Sequence, residues 1–271
     1  PDKTSAKLAL GDVYLKNKKY DDAVKYYKEV LAGEPGNAIA RANLAAAYAG
    51  KGNSREELSN LKQAAELNAS ESVIHFNLGA AYEKRKLDAE AIKEYEQALK
   101  IKPGDSDAQE RLATLYFKNK KYNQAVKYYE KLAKIDPKNA AVFANLGFAY
   151  GELKKYAASA ENYKKAIKLG AKSSNLHYNL AYTYGKLGRE REAILEYEKV
   201  SPPTKEILNA LAYYYLKEKK TNQSIKYYRK VATLEPRKAA SYTNLGYAYA
   251  AGGDWDMAIR NYLTALKYDR D

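Results

Sequence analysis

The chain lacks cysteine altogether, and its 271 residues include only two histidines and one methionine. Without cysteine, disulfides, thiolate metal sites and a cysteine nucleophile are excluded, whereas the redox compartment stays open, the cytoplasm and the bacterial cell envelope being both compatible. There is no run of about 18 apolar residues and no signal-peptide pattern, so we expect no transmembrane segment. Because residue 1 is Pro rather than Met, we expect a fragment or processed form of a longer protein.

Patterns that carry catalysis are also missing. The stretch GKGN at 50–53 lacks the leading glycine and the hydroxyl of a P-loop, and no Ser-His-Asp set or metal-ligand spacing is present. His75 and His177 are expected on packing faces as hydrogen-bonded interior or boundary residues rather than as ligands or bases. We therefore predict no enzyme, no catalytic residue, no bound metal and no cofactor.

The charge is strongly positive and comes mostly from lysine. The formal net charge is +14, and 37 of the 47 basic residues are Lys. Arg is the residue suited to bidentate phosphate recognition, whereas Lys is a point charge. The balance favours diffuse attraction to an acidic protein or peptide and argues against nucleic acid as the partner.

Tyrosine, present 28 times, recurs at a fixed period. The stretches NLGFAYGELKKYAASA from 145 and NLGYAYAAGGDWDMAI from 244 belong to a set that repeats every 34 residues. We number the places of each repeat from its first residue. The eight predicted repeats span residues 4–37, 38–71, 72–105, 106–139, 140–173, 174–204, 205–238 and 239–271, after a leader of residues 1–3.

Each repeat is predicted to form two amphipathic helices of about 12 to 14 residues joined by a turn rich in Lys, Gly, Asp and Asn. Place 11 is Tyr in all eight repeats, place 24 is Tyr in seven, with Leu61 the exception, and place 8 is always Gly or Ala. Places 4, 7, 8 and 11 share one face of the first helix. The small residue at place 8 lets the paired helix approach closely. Prolines near the ends of the repeats are expected to stop the second helices: Pro35, Pro103, Pro137 and Pro236.

These spacings resemble the tetratricopeptide repeat family. FANLGFAYGELKKYAASAENYKKAI and YTNLGYAYAAGGDWDMAIRNYLTAL carry most of its signature, and the resemblance covers residues 4–271. Repeat 2 departs from it with Glu57 where Ala is usual and Ala69 where Pro is usual. The resemblance implies an all-α, right-handed α-solenoid superhelix of eight helix-turn-helix repeats. It also implies a non-enzymatic scaffold for protein–protein contact, with a concave groove lined by the first helices.

Two features of the repeats are irregular. In EKVSPPTKEIL the second helix of repeat 6 is expected to end at Pro202 and Pro203, three residues early, with either a bend or opening before repeat 7 or a local adjustment. The sequence stops at the eighth second helix without a polar capping helix. Either the native protein continues, or an apolar end meets another molecule and forms a homo-oligomer through Ile259, Tyr262, Leu263 and Leu266.

The groove face carries an Asn column at place 6. Its members are Asn43, Asn77, Asn145, Asn179 and Asn244, with Arg111 at that place in repeat 4. An Asn amide offers the acceptor and the donor that an extended peptide backbone requires in return. The alternative, which the sequence leaves open, is that these Asn side chains form local bonds between helices.

Place 9 of the same face changes character along the chain. It is aromatic in the last four repeats, where we call it the aromatic row: Phe148, Tyr182, Tyr213 and Tyr247. Repeats 1 to 4 have Asp12, Ala46, Ala80 and Thr114 instead. Tyr178 adds a further ring at place 5 of repeat 6. Rigid aromatic anchors are typical of binding hot spots, and packing between neighbouring helices is the alternative.

Lysines cluster at the turns within the repeats, as in KNKKY at 16–20 and 118–122. Four of them, at place 13, are predicted to form a basic rim of the groove: Lys84, Lys118, Lys186 and Lys217. A functional rim would favour acidic residues in a ligand, and the alternative is a set of solvated turns. The Lys and Asn clamp with which some relatives grip a C-terminal carboxylate is incomplete in repeats 2 to 4, so that ligand is not predicted.

These observations lead to one hypothesis and two rivals. We predict that the groove binds an extended or short helical peptide segment, most strongly across repeats 5 to 8. One rival is electrostatic binding of nucleic acid, an acidic polysaccharide or an anionic membrane along the lysines. The other rival is self-assembly through the ends of the array.

Overall fold

The computed structural model describes residues 3–269, and the chain divides into two compact units, residues 1–135 and 136–271. We call them the N-terminal unit and the C-terminal unit. Within the described residues there are sixteen α-helices and no β-strand, which confirms the predicted all-α fold of paired helices. Residues 1 and 2 of the predicted leader and residues 270 and 271 of repeat 8 lie outside the described part, and Lys3 already belongs to the first helix.

The N-terminal unit contains the first four helix pairs. Its helices are α1 (Lys3–Lys16), α2 (Tyr20–Gly33), α3 (Ala38–Gly50), α4 (Ser54–Leu67), α5 (Ser72–Lys84), α6 (Asp88–Ile101), α7 (Ser106–Lys118) and α8 (Tyr122–Ile135).

The C-terminal unit contains the other four pairs. Its helices are α9 (Ala140–Glu152), α10 (Tyr156–Lys168), α11 (Ser174–Lys186), α12 (Glu190–Tyr197), α13 (Lys205–Lys217), α14 (Thr221–Leu234), α15 (Ala239–Ala251) and α16 (Trp255–Tyr268).

Side-chain caps and prolines set many of these boundaries. Asn37, Asp105 and Asn139 cap α3, α7 and α9 by accepting a hydrogen bond from the backbone N–H three residues later. The second helices α2, α6, α8 and α14 each end two residues before their proline. In repeat 2, Ala69 replaces that proline and α4 still ends at Leu67.

The turn inside each repeat has the same backbone geometry in both units. Place 15 has a positive φ in every repeat: it is Gly52, Gly188 and Gly253 in three, and Lys18, Lys86, Lys120, Lys154 and Lys219 in five. The N–H that follows donates to the carbonyl of the place 11 tyrosine at 2.8 to 3.0 Å in all eight repeats. This bond ends the first helix in a Schellman motif and turns the chain toward the second helix.

Close contact between the two helices of a repeat depends on the small residue at place 8. A Cβ added to Gly147 would lie 2.6 Å from the ring of Tyr163, and one added to Gly79 would lie 3.0 Å from the ring of Tyr95. Both tyrosines are buried. The place 24 tyrosine therefore occupies the volume that a larger residue at place 8 would need, as the sequence predicts.

The second helix of repeat 6 ends earlier than predicted. It stops at Tyr197 rather than at Pro202, because the chain turns so that Val200 enters the core. The residue before a proline also avoids helical geometry. Tyr214 closes the junction with repeat 7: its ring stacks on Tyr197 at 6.3 Å, and its hydroxyl occupies the position that a Cβ of Gly185 would take.

Candidate functional site

The aromatic row lies on the first helices of the C-terminal unit, α9, α11, α13 and α15. Phe148 is half-buried, but Tyr182, Tyr213 and Tyr247 are 47%, 51% and 61% exposed. A large ring with half its surface in water contributes little to a core. Packing between helices therefore explains Phe148 better than it explains the three tyrosines.

Tyr178 differs from the aromatic row. Its side chain is half-buried and makes an edge contact with Tyr197 at 5.8 Å between ring centroids. It also joins the apolar cluster formed by repeats 6 and 7. Tyr178 therefore contributes to packing and leaves only part of its ring available to a ligand.

Two cavities open beside the aromatic row, each between neighbouring repeats of the C-terminal unit. A cavity of about 330 Å³ lies between repeats 5 and 6, with Phe148, Tyr163 and Tyr182 in its wall. A second, of about 470 Å³, lies between repeats 7 and 8, with Tyr213 and Tyr228 in its wall. In each cavity a place 24 tyrosine forms part of the wall beside an exposed ring, so a ligand on the row also meets this buried tyrosine.

Place 24 of repeats 5, 6 and 7 holds a buried tyrosine ring, and the hydroxyls of these three rings differ in their partners. The hydroxyl of Tyr163 is hydrogen-bonded to the side chain of Asn179. Tyr197 and Tyr228 are only 4% and 6% exposed, and within residues 3–269 neither hydroxyl has a hydrogen-bond partner. Repeat 7 has Ala210 at the place where repeat 6 offers Asn179. Burial raises the pKa of both phenols, so they stay protonated and can donate.

The corresponding hydroxyls of repeats 1 and 3, in the N-terminal unit, are bonded to the protein's own carboxylates. Tyr27 donates to Asp12 at 2.7 Å and Tyr95 donates to Glu83 at 2.8 Å. Asp12 is the place 9 residue of repeat 1, where the C-terminal unit has an aromatic ring. In repeats 1 and 3 the place 24 hydroxyl therefore has a hydrogen-bond partner within the protein.

The Asn column is divided between local bonds and open positions. Asn43 donates to Asp12 at 2.9 Å and is also bonded to the hydroxyl of Tyr27, while Asn179 is bonded to Tyr163. For Asn43 and Asn179, the structure supports the alternative that these side chains form local bonds between helices. Of the other Asn residues, Asn77 lines a cavity beside α7 and Asn244 lines the cavity between repeats 7 and 8, whereas Asn145 is half-buried and engaged in an interaction within the protein.

The charged residues predicted for the groove mostly pair with carboxylates of the preceding repeat. Lys84 lies 3.6 Å from Glu57, Lys118 lies 2.9 Å from Asp88, Arg111 lies 3.6 Å from Glu83, and Lys217 pairs with Glu190. Lys186 is different, because its ammonium lies 5.1 Å over the ring of Tyr182 and has no carboxylate partner in the described part of the chain. Lys186 is thus the rim cation best placed to meet an acidic ligand.

Sequence patterns did not identify Tyr197, Tyr228 and Tyr214 as part of the site. The first two fit the core pattern of place 24, and no pattern reports whether the hydroxyl of a buried ring has a partner in the protein. Tyr214 could have been found, because place 10 is small or aliphatic in the other repeats. Its ring contacts that of Tyr213 at 5.4 Å.

Each of the two histidines pairs with a glutamate on the other helix of its own repeat. Nδ1 of His75 lies 2.7 Å from the carboxylate of Glu94, and Nδ1 of His177 lies 2.6 Å from that of Glu196. Each pair joins the first and second helices of one repeat. Across residues 3–269, no group of three or more His, Cys, Asp or Glu side chains could hold a metal ion.

The outer face of α16 carries four exposed large apolar side chains, more than any other described helix of the C-terminal unit. Trp255, Ile259, Leu263 and Leu266 are 56% to 68% exposed, whereas Tyr262 packs against Gly246. In the other seven repeats the place of Leu263 is charged. A search of residues 3–269 for a helix long and apolar enough to cross a membrane finds none.

Comparisons with known proteins agree with this architecture. Models of the tetratricopeptide repeat match residues 1–56, 72–105, 89–146, 140–171, 162–194, 205–238 and 241–271. The search of curated proteins found no match.

Among solved structures, the chain is similar to that of Naa15/Naa10 bound to HypK-THB, with a TM-score of 0.71 and 18% identity over 99% of this chain and 44% of that chain. It therefore spans less than half of that protein. It is also similar to YrrB, described as a TPR protein with an unusual peptide-binding site, with a TM-score of 0.60 and 17% identity over 68% of this chain and 96% of that one.

A tetratricopeptide repeat protein from Parabacteroides merdae matches 97% of this chain and 98% of its own, with a TM-score of 0.54 and 16% identity. Identities this low show a shared fold only. The repeat models, in contrast, cover nearly the whole sequence. The chain belongs to the tetratricopeptide repeat family.

Proposed function

We propose that the C-terminal unit binds an extended or short helical segment of a partner protein along the aromatic row. The family consists generally of non-enzymatic scaffolds, which fits this role. The main support is the half-exposure of three tyrosines at the same place of consecutive first helices. Phe148 and Tyr178 supply further apolar surface at the repeat 5 and repeat 6 end of the row.

The rings supply enough apolar surface for a measurable affinity. Burying a whole side chain of this size contributes about 1.5 to 3 kcal/mol, so covering the exposed half of one contributes roughly 1 kcal/mol. Three such rings give roughly 3 kcal/mol before the entropic cost of association. The remaining contacts are assigned to Asn145, Asn179 and Asn244, which would hold backbone groups of the segment.

The basic rim is assigned a smaller contribution to binding than the aromatic row. Lys186 would attract an acidic residue next to the segment, whereas Lys84, Lys118 and Lys217 would have to leave their present carboxylates to do so. Exposed charge pairs contribute little to affinity and mainly speed association.

Selection of peptides from a displayed random library, followed by affinity measurement, tests the proposal. Combining Tyr182→Ala with Tyr213→Ala should weaken the selected peptides about 30-fold, because two half-exposed anchors are lost. Trp255→Ala is the matched control, since it removes an even more exposed ring outside the row. Helical content should be unchanged in both variants. Unchanged affinity in the double variant would reject the proposal.

Self-association is a second candidate, supported by the exposed apolar face of α16. The charge substitutions Ile259→Lys and Leu263→Lys should abolish any rise of light scattering with protein concentration. A wild-type chain that scatters as a monomer at every concentration would contradict this candidate.

A further inference from the structure

The unpartnered hydroxyls beside the aromatic row indicate what kind of segment would bind there. Tyr228 is 94% buried, lines the cavity between repeats 7 and 8, and has no hydrogen-bond partner within residues 3–269. Tyr197 is 96% buried, and its phenol is close enough to those of Tyr178, Tyr182 and Tyr214 to interact electrostatically with them. A ligand that covers the row also removes water from these hydroxyls. It must therefore bring hydrogen-bond acceptors.

An α-helical ligand brings them only on polar side chains. Its backbone carbonyls are used within the helix, so a helix that covers the row with apolar side chains would leave the hydroxyls of Tyr197 and Tyr228 without water and without a partner. A β-strand has free carbonyls, but its side chains alternate between opposite faces and its free N–H groups require acceptors in turn.

A polyproline II segment meets both requirements. It has no internal hydrogen bonds, so its carbonyls are free to accept, and proline has no N–H that burial would leave unsatisfied. Every third residue of such a segment faces the same side, at a spacing of about 9.3 Å. One face of the ligand can therefore present prolines to several rings along the row.

We infer that the segment bound by the aromatic row is proline-rich, adopts the polyproline II conformation and carries an acidic residue beside its prolines. This inference rests on the proposed function. Flat prolines stack on the exposed faces of Tyr182, Tyr213 and Tyr247, and ligand carbonyls accept from Tyr197 and Tyr228. The acidic residue follows from charge complementarity, because the ammonium of Lys186 lies over Tyr182 without a carboxylate of its own within residues 3–269. Aromatic grooves are a general solution for proline-rich ligands.

Fluorescence anisotropy with synthetic peptides tests the inference. The probe is a labelled peptide of nine prolines with two glutamates at each end, so that either chain direction places an acid near Lys186. Matched peptides carry glycines or alanines in place of the prolines, and a leucine-rich amphipathic helix represents the helical class. The proline peptide should bind at least about 10-fold more tightly than the glycine and alanine peptides, since its conformation is already ordered.

Two substitutions locate the contact. Tyr228→Phe should weaken the proline peptide about 3- to 10-fold, because one hydrogen bond is lost while the ring remains. Tyr95→Phe, the same change in the N-terminal unit, should leave the affinity unaltered. Lys186→Met should weaken binding and reduce its dependence on salt.

The outcomes separate this inference from the proposed function. If the helical peptide binds in a way that depends on Tyr182 and Tyr213 while the proline peptide does not bind, the inference is wrong and the proposed function stands. If no peptide depends on those two rings, both are wrong. Equal binding of the proline, glycine and alanine peptides, or an unchanged affinity in Tyr228→Phe, overturns the inference.

Discussion

The N-terminal and C-terminal units are built from the same repeat, yet their groove faces are chemically different. In the N-terminal unit the buried tyrosines Tyr27 and Tyr95 donate to Asp12 and Glu83. In the C-terminal unit place 9 is aromatic and mostly exposed, and within residues 3–269 the hydroxyl of Tyr228 is unpartnered. The packing places therefore define the fold, while the opposite face is free to differ between units of one chain.

Giving place 9 of the C-terminal unit a residue from the N-terminal unit should have the largest effect on peptide affinity. Replacing Tyr182, Tyr213 and Tyr247 by alanine, the residue of repeats 2 and 3, should weaken a row-dependent peptide about 100-fold, because three anchors of roughly 1 kcal/mol each are lost. Titration of the labelled peptide measures this change. Asp12→Ala is the control from the other unit and should leave peptide affinity as it was. A similar loss in both variants would show that the two groove faces are equivalent in binding.

Overpacking at place 8 should lower the free energy of unfolding, by nearly as many kcal/mol as the place 9 substitutions remove from binding. The loss should be the same in both units. A Cβ at Gly147 or Gly79 already meets a buried tyrosine ring, so Gly147→Val and Gly79→Val should each lower the free energy of unfolding by about 1 to 3 kcal/mol. Urea denaturation followed by circular dichroism measures this. A large effect in only one unit would show that the two units pack differently.

Removing the hydroxyl of a buried tyrosine should have unequal effects on stability in the two units. Tyr95→Phe takes the donor away from Glu83 and should lower the free energy of unfolding by about 1 kcal/mol. Tyr228→Phe removes a hydroxyl without a partner and should change it by less than about 0.5 kcal/mol. Denaturation of the two variants side by side checks the difference. Equal losses would mean that Tyr228 has a partner after all.

The ion pairs between repeats should give the smallest effect and the same direction in both units. Lys118 lowers the pKa of Asp88 by hydrogen bonding, and Lys217 does the same to the pKa of Glu190. A carboxylate whose pKa is lowered in the folded state stabilises the fold at pH values above its ordinary pKa. This contribution to stability is lost as the pH falls below about 4. Asp88→Asn should therefore remove a few tenths of a kcal/mol at pH 7 and nothing at about pH 2. Equal destabilisation at both pH values would exclude the charge as its source.

Much of the fold followed from the sequence because its causes are local. Tyrosine and glycine at fixed places indicate which face of each helix is buried, and the second helices of repeats 1 and 3 end two residues before Pro35 and Pro103. The early end of α12 was missed because it depends on Val200 turning into the core. Tyr214 closes the junction that the early end of α12 leaves between repeats 6 and 7. It does so by filling the space beside Gly185, which only the packed repeats define.

Less of the candidate site followed from the sequence. The aromatic row was visible as a departure from the other repeats, and its exposure agrees with the role predicted for it, which stays a prediction. The alternatives for the Asn column could not be separated, because a bond such as that between Asn179 and Tyr163 joins residues of neighbouring repeats. The open hydroxyl of Tyr228 depends on the lack of such a bond, and a sequence pattern does not record features of this kind.

Hydroxyl-radical footprinting of the chain with and without a selected peptide tests binding along the aromatic row most directly. We predict that Tyr182, Tyr213 and Tyr247 are modified in the free protein and shielded in the complex. Trp255, which is 66% exposed on α16, should react equally in both states. Shielding of the N-terminal unit, or of Trp255 instead of the row, would contradict binding at this site.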